Sequence, residues 1–307
     1  MKRLAFSFLI MALAIMPLGC DSDKNDEEPV LKNDPIVATG TSGTGWIKDV
    51  DTAKAPQYAS IRAIAAKDIP PTLDMRAEMS PVENQGPISS CVANSIVGAL
   101  EFLQIKNGIP KGKRFLDMSR MFLYFVARDM AGLQNKDSGC YINQAILATE
   151  NVGMVTEARW PYTYSRLYKR PSKALYSVAK KKLVKDCYYI ADNATENIKA
   201  ALAEGYPVVF GTALFSSFYS VGKDGVVPIP DIAKERYVGG HAMLIVGYTA
   251  TSFIVRNSWG AGWGNNGYCY IPFGYFSLNG GTMDPGFDFW VIRLQTNLFT
   301  KEMEQPK

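Results

Sequence analysis

The sequence predicts an α+β fold of two lobes with a cleft between them. Helical periodicity is concentrated in the first half of the 307 residues, whereas the second half consists of short aromatic or β-branched runs separated by glycine. Helices and strands that are segregated in this way form distinct layers and not alternating βα units. With 47% hydrophobic and 20% charged residues, the chain has ample material for one compact unit or for two lobes.

The N-terminal residues predict an export signal. Lys2 and Arg3 precede an apolar stretch over residues 4–18, which is too short to span a bilayer comfortably. Residues 17–20 are Pro-Leu-Gly-Cys and resemble a bacterial lipobox, although the leucine stands one place later than usual. We interpret residues 1–20 as a lipoprotein signal peptide and Cys20 as the lipidated residue that anchors the chain to a membrane. A plain secretory signal is the alternative.

Residues 21–70 are expected to be mainly a flexible tether. Residues 21–28 are polar and acidic and cannot bury apolar surface. They resemble the acidic stretch of surface-exported bacterial lipoproteins, which predicts a cell-envelope protein anchored in the outer membrane, with exposure at the cell surface as a further hypothesis; a simple spacer is the alternative. One short helix is expected between Tyr58 and Ala66. Instead of acting as a tether, the region could form a short propart that plugs the cleft.

The globular body is expected to begin near residues 70–71. The predicted helical lobe covers residues 71–186, the β lobe residues 187–295 and a C-terminal tail residues 296–307. An apolar stripe over residues 91–107 predicts a helix, with Ser89 or Ser90 as its N-cap and Gly108 as its stop. Further helices are expected at residues 119–130, 142–150 and 195–204. Strands are predicted at residues 188–190, 208–210, 241–248, 253–255, 268–271 and 287–294.

Charge and cysteine content exclude several classes of function. The net charge of +4 is small, and no Lys/Arg stripe with interleaved aromatic residues stands out, so no nucleic-acid partner is expected. Besides Cys20 and Cys91, the chain has Cys140, Cys187 and Cys269, which permit at most one intramolecular disulfide. The single histidine and the scattered cysteines have no metal-ligand spacing, and no phosphate-binding or dinucleotide fingerprint is present. We therefore expect neither a metal nor a cofactor.

The chemistry-bearing residues occur in the order Cys, His, Asn. His241 is the only histidine and hence the one candidate for proton transfer near neutral pH. Cys91 falls on the first turn of a predicted helix, whose N-terminus favours a thiolate. Asn257 could accept the imidazole N–H, while Trp259 could shield that hydrogen bond from water. Gln85 could form an oxyanion hole with the backbone N–H of Cys91. This constellation predicts a thiol-dependent peptidase.

From about residue 72 to residue 271 the chain resembles papain-like cysteine peptidases. The resemblance rests on Leu-Asp-Met-Arg at 73–76, Pro-Val-Glu-Asn-Gln-Gly at 81–86, Trp-Pro-Tyr at 160–162 and, most specifically, the Asn-Ser-Trp-Gly run at 257–267. It implies a papain-like fold with a helical lobe and an antiparallel β-barrel-like lobe. It also implies roles, which are Cys91 as nucleophile, His241 as general acid/base, Asn257 as orienter, Gln85 as oxyanion donor and Trp259 as shield.

The departures from the family pattern concern the disulfide and the substrate-binding wall. Where the family has Cys-Gly-Ser-Cys-Trp, residues 88–92 are Ile-Ser-Ser-Cys-Val, so that Cys140 lacks its usual partner. The family's Gly-Cys-x-Gly-Gly is replaced by Gly-Cys-Tyr-Ile-Asn at residues 139–143. Side chains in place of glycine are expected to narrow or reshape the wall that binds substrate. The residues expected to line this wall are Cys140, Tyr141, Ile142 and Asn143.

The leading hypothesis is a monomeric peptidase that cleaves a peptide or protein substrate through an acyl-enzyme on Cys91. Its expected resting state is an ion pair between Cys91 and His241. Two alternatives stay open at this point. The altered glycines and Val92 are compatible with a catalytically weak, papain-like peptide-binding module, and the same acyl-enzyme could pass its acyl group to an amine in a transpeptidase.

Overall fold

The computed structural model describes residues 43–49, 52, 54–108, 115–179, 184–191, 194–277 and 287–294. The expected signal peptide, Cys20, the acidic segment and the C-terminal tail lie outside the described residues. Within the described ranges, no helix combines the length and the apolar character needed to cross a membrane.

The helices are concentrated in the first half of the described chain. They are α1 (Cys91–Lys106), α2 (Arg120–Met130), α3 (Ile142–Asn151), α4 (Lys173–Ala179) and α5 (Ala194–Ala203). Residues 91–104 of α1 are all buried, which fits a helix that is apolar on most of its surface. Gly108 follows the helix with a φ of 62°, a left-handed conformation that favours glycine at a helix C-terminus. The Ser119 hydroxyl caps α2 by accepting the N–H of Phe122 at 3.0 Å.

The strands form one large antiparallel sheet and one small parallel pair. They are β1 (Trp46–Ile47), β2 (Leu73–Asp74), β3 (Cys140–Tyr141), β4 (Val184–Tyr189), β5 (Val208–Phe215), β6 (Tyr237–Tyr248), β7 (Ser252–Arg256), β8 (Tyr268–Pro272) and β9 (Phe287–Leu294). The large sheet has the order β4-β9-β5-β6-β7-β8, with β2 beside β6, and β1 pairs with β3. Helix α1 packs on β5, β6 and β9. The predicted α+β class is confirmed.

A buried ion pair and a buried guanidinium connect α1, α2 and the end of β7. Glu101 of α1 and Arg120 of α2 are both buried, with 3.0 Å between Oε2 and Nη2. Arg256, the last residue of β7, donates to the carbonyl oxygens of Ser80 and Pro81 at 2.6 and 2.5 Å. These hydrogen bonds satisfy charged groups that would otherwise be costly to bury. The ion pair holds α1 against α2, and the Arg256 hydrogen bonds hold the end of β7 against residues 80–81.

The prediction of a helix between Tyr58 and Ala66 is wrong. The structure has only two 3-10 turns there, at Tyr58–Ser60 and Ala66–Asp68. The Glu204 carboxylate accepts the backbone N–H groups of Ala63 and Ile64 at 2.8 and 2.9 Å. In a helix, these two N–H groups would donate to carbonyl oxygens of the preceding turn. Here they donate to the Glu204 carboxylate instead.

The prediction that residues 21–70 form a flexible tether is also wrong for the parts that the structure describes. We call residues 43–49 the strap. The strap residue Trp46 is 8% exposed, and Tyr58 is fully buried. The Pro56 carbonyl accepts the N–H of Tyr189 on β4 at 2.8 Å. Two large aromatic side chains bury enough apolar surface to hold this segment on the body, so the packed part of the chain begins well before residue 70.

Candidate active site

Three elements bring the predicted catalytic residues together. Cys91 is the first residue of α1, His241 lies within β6, and Asn257 directly follows β7. Because α1 packs against β6, the Cys91 thiol comes within reach of the backbone N–H of Ala242, the neighbour of His241. Strand β7 pairs with β6, so that Asn257 emerges beside the histidine. Residues far apart in sequence thus share one site.

The side chain of Asn257 fixes the orientation of His241. Nε2 of His241 lies 2.8 Å from Oδ1 of Asn257, and the same oxygen accepts the backbone N–H of Ser258 at 2.8 Å. An oxygen that accepts from a backbone N–H is an acceptor for the ring as well, which makes Nε2 the protonated nitrogen. The buried Nδ1 has no hydrogen-bond partner among the described residues. Nδ1 is therefore the nitrogen available to take a proton.

An aromatic cluster shields this hydrogen bond. The ring centroid of Trp259 lies 5.0 Å from that of the His241 imidazole. The Trp259 ring also stacks on Tyr219, with 5.4 Å between the centroids and an interplanar angle of 1°. Phe218 meets the Trp259 ring edge-on at 5.5 Å. Asn257 is consequently only 2% exposed. The sequence pointed to Trp259, but it did not identify Phe218 and Tyr219, which come from the connection between β5 and β6.

Gln85 is held in one orientation by a residue that the sequence analysis missed. The Ser258 hydroxyl donates to Oε1 of Gln85 at 2.6 Å, which turns Nε2 of the amide towards the cleft. That Nε2 donates to the Ile88 carbonyl at 2.8 Å and to the Gly43 carbonyl of the strap at 3.0 Å. The position of Ser258 next to Asn257 was the only available signal, because the contact to Gln85 spans 173 residues.

The strap crosses the cleft and contacts its two walls. The N–H of Gly45 donates to the Gly240 carbonyl at 2.8 Å, and the Gly45 carbonyl accepts the N–H of Cys140 at 2.9 Å. A Cβ atom on Gly45 would lie 2.1 Å from the Ser89 carbonyl oxygen, so only glycine fits at this point. Covered in this way, Cys91 and His241 are both fully buried.

The wall formed by residues 140–143 contacts the strap mainly through its backbone. β3 pairs in parallel with β1, which places Cys140 opposite Trp46 and Tyr141 opposite Ile47. The N–H of Asn143 donates to Oδ2 of Asp49 at 3.1 Å. Ile142, in contrast, is fully buried at the start of α3. Three of the four residues expected to line the substrate-binding wall thus contact the segment in the cleft.

Burial keeps Cys91 and His241 uncharged in this covered form. It raises the pKa of Cys91 to about 12, although the backbone N–H of Ala242 acts in the opposite direction. It also lowers the pKa of His241 to about 4, against the effect of the hydrogen bond to Asn257. Near neutral pH Cys91 is then a thiol and His241 a neutral imidazole. The ion pair expected as the resting state is not favoured here, because the strap excludes the water that would solvate it.

Similarity to known proteins agrees with this site. A family model described as papain family cysteine protease matches residues 69–293. The chain is 34% identical to an uncharacterized peptidase C1-like protein of Acanthamoeba polyphaga mimivirus, over 70% of each chain. It is 27% identical to human cathepsin L2, over 66% of this chain and 61% of the relative. Among solved structures, xylellain, a cysteine protease from Xylella fastidiosa, is similar with a TM-score of 0.70 and 31% identity, covering 82% of this chain and 96% of that one.

Proposed function

Because this chain belongs to the papain family of cysteine proteases, we propose that it hydrolyses peptide bonds through an acyl-enzyme on Cys91. One observation carries the assignment of roles. The Nε2 atom of His241 is bound to Asn257 at 2.8 Å, while the buried Nδ1 has no partner among the described residues. A base that is oriented at one nitrogen and free at the other is what proton transfer from a thiol requires.

The proposed reaction has two halves. Nδ1 of His241 takes the thiol proton, and the Cys91 thiolate attacks the carbonyl carbon of the substrate. Nε2 of Gln85 and the backbone N–H of Cys91 stabilise the negative oxygen that develops. The C–N bond then breaks, and the imidazolium gives its proton to the leaving amine. In the second half, His241 removes a proton from water, the resulting nucleophile cleaves the thioester, and the Cys91 thiol is regenerated.

The strap has to leave the cleft before this reaction begins. Its Gly43 carbonyl occupies the Gln85 Nε2 donor at 3.0 Å, and both catalytic side chains are inaccessible. Departure of the strap admits water, which lowers the pKa of Cys91 and raises that of His241. The ion pair between them is then favoured. We therefore regard the described arrangement as a covered form of the enzyme.

The test compares turnover with labelling of the nucleophile. The mature chain is assayed with a broad fluorogenic peptide library, before and after limited proteolysis that removes the strap, and Cys91 alkylation by iodoacetamide is located by mass spectrometry. Turnover should vanish in Cys91→Ala and persist in Cys187→Ala, a matched change at another thiol. Hydrolysis that survives in Cys91→Ala contradicts the proposal, as does a strap-free chain that is alkylated at Cys91 but cleaves no peptide.

We further propose that Cys20 is lipidated and anchors the mature chain to the cell envelope. The supporting pattern is the apolar stretch before Pro-Leu-Gly-Cys and the acidic residues behind it. Bacteria that express the chain would be fed an alkyne fatty acid, and the purified protein examined for the label. Incorporation that is lost in Cys20→Ala supports the anchor. An unlabelled, freely released wild-type protein contradicts it.

A further inference from the structure

The side chain of Trp46 occupies a pocket beside the catalytic histidine. Its floor is the part of the large sheet where β9, β5 and β6 lie side by side, with Gly211 of β5 opposite Asp288 of β9. The Trp46 carbonyl oxygen lies 2.3 Å from where a Cβ on Gly240 would be, and Gly240 immediately precedes His241. Any side chain in this pocket therefore lies next to the reacting groups.

Gly211 leaves the space that the indole occupies. β5 is buried along its whole length, and Val209 and Ala213 are the neighbours that share a face with Gly211. A Cβ atom on Gly211 would lie 2.2 Å from two atoms of the Trp46 ring. Glycine inside a strand weakens it and frequently marks a place where a ligand or another chain segment approaches closely. The flat slot above Gly211 is such a place.

Asp288 provides a buried acceptor at the end of the slot. It is 1% exposed, and burial raises its pKa. Its Oδ2 accepts the indole N–H of Trp46 at 3.0 Å and the backbone N–H of Asp49 at 3.0 Å. Its Oδ1 has no hydrogen-bond partner among the described residues. Both donors to Oδ2 belong to the strap, so the carboxylate loses them when the strap leaves and is then free to accept from a donor on a bound substrate.

We propose that the pocket occupied by Trp46 receives a side chain of the substrate in the uncovered enzyme, and that Gly211 and Asp288 make it prefer tryptophan. This inference rests on the proposed function. The slot over Gly211 accepts a large flat ring, and Asp288 accepts a hydrogen bond from the indole N–H. Phenylalanine fills the same space but leaves Asp288 without a donor. Arginine supplies N–H donors and a charge, which makes it the competing occupant in the test.

The test measures selectivity on the wild-type full chain with peptidyl epoxide probes. The probes alkylate Cys91 and differ in one residue, which is Trp, Phe, Arg or Ala, placed in turn at each peptide position. Opening of the strap multiplies all alkylation rates by the same fraction, so their ratio reports the pocket alone. At one position, the tryptophan probe should react about 10-fold faster than the phenylalanine probe.

Three variants assign this selectivity to named atoms. Asp288→Leu should equalise the tryptophan and phenylalanine rates, whereas Asp288→Asn, which keeps an acceptor oxygen, should retain the preference. Gly211→Ala, which fills the slot, should slow the tryptophan probe more than the alanine probe. Asp129→Asn, a carboxylate change on α2 at an exposed ion pair with Arg170, is the matched control. Melting temperatures identify any variant that fails to fold. If Asp288→Leu fails to fold, the probe rates of Asp288→Asn and Gly211→Ala test the proposal.

The outcomes separate this inference from the proposed function. Equal rates for all probes at every position overturn the pocket assignment, even if the enzyme hydrolyses peptides. An arginine preference that disappears in Asp288→Asn overturns it as well, because it would show recognition of charge. Selective alkylation without any peptide hydrolysis leaves the pocket assignment intact and refutes the hydrolytic mechanism.

Discussion

The stability of the covered form should fall as the pH rises, because of a carboxylate in the strap. Burial and the neighbouring Asp288 carboxylate raise the pKa of Asp49 from 3.8 to about 7, against the hydrogen bond from the Asn143 backbone. Lys48 is the cation that faces the pair. Since the covered form holds the Asp49 proton more tightly than the open form, its stability is fully present below about pH 4 and is lost as the pH rises through 7.

The size of this effect follows from the two pKa values. Between pH 5 and pH 7, a shift from 3.8 to about 7 increases the ratio of open to covered molecules by roughly 50-fold, or about 2 kcal/mol. The catalytic pair does not add to this change. In the covered form the proton is on the thiol, and in the open form it is on the imidazolium. The pair therefore holds the same number of protons in both forms. Asp49 and Asp288 are left as the groups that release a proton on opening.

Amide hydrogen exchange of the strap measures this equilibrium directly. The Gly45 N–H is bound to the Gly240 carbonyl at 2.8 Å and exchanges only when the strap opens. Its protection factor, corrected for the intrinsic pH dependence of exchange, should fall by at least the factor given above in wild type and by clearly less in Asp49→Asn, where Asp288 alone remains to release a proton. Asp68→Asn, at an exposed 3-10 turn, is the control. A constant protection factor in wild type, or an equal slope in Asp49→Asn, would refute the reasoning.

Three further checks are independent of this equilibrium. Gln85→Ala should lower kcat by about 10²–10³-fold, while Ser258→Ala, which only releases the Gln85 amide, should cause a smaller loss; equal losses would argue against an anchoring role. Asn257→Ala should lower kcat with little effect on KM, and an unchanged pH–rate profile would show that the histidine needs no orienter. Gly45→Ala should accelerate Cys91 alkylation, because a Cβ there overlaps Ser89. Gly262→Ala, where a Cβ meets nothing within 4 Å, should leave the alkylation rate unchanged, and equal rates in the two variants would mean that the strap does not control access.

Local patterns were sufficient to locate the predicted catalytic residues. The apolar stripe of α1 placed Cys91 at a helix N-terminus, and the strand-like runs around His241 and before Asn257 predicted β6 and β7. Helix α4 was missed because it has only seven residues. A helix of two turns is too short for its apolar spacing to stand out as a period.

The contacts that determine access to the site could not be predicted locally. The strap touches residues of both lobes, and the bond between Trp46 and Asp288 spans 242 positions. Residues 43–49 have no periodicity, and their two glycines pass close to other backbone, Gly43 to that of Pro87 and Ile88 and Gly45 to that of Ser89. A glycine-rich segment of this kind has the composition of a linker, and only the surfaces around it show that it packs. Asp288 belongs to a correctly predicted strand, but periodicity alone did not indicate which cavity its side chain faces.

The strap belongs to the same chain as the cleft it covers, and this changes how inhibition depends on concentration. The chain is fixed again at Pro56 and Tyr58, only a few residues beyond Asp49. A short connection of this kind gives the strap a local concentration in the millimolar range, which dilution of the protein does not reduce. A free peptide with the same sequence would have to match that concentration to compete. Cutting the chain between Asp49 and Pro56 would turn the strap into such a peptide, and at cellular dilution its departure would be effectively irreversible.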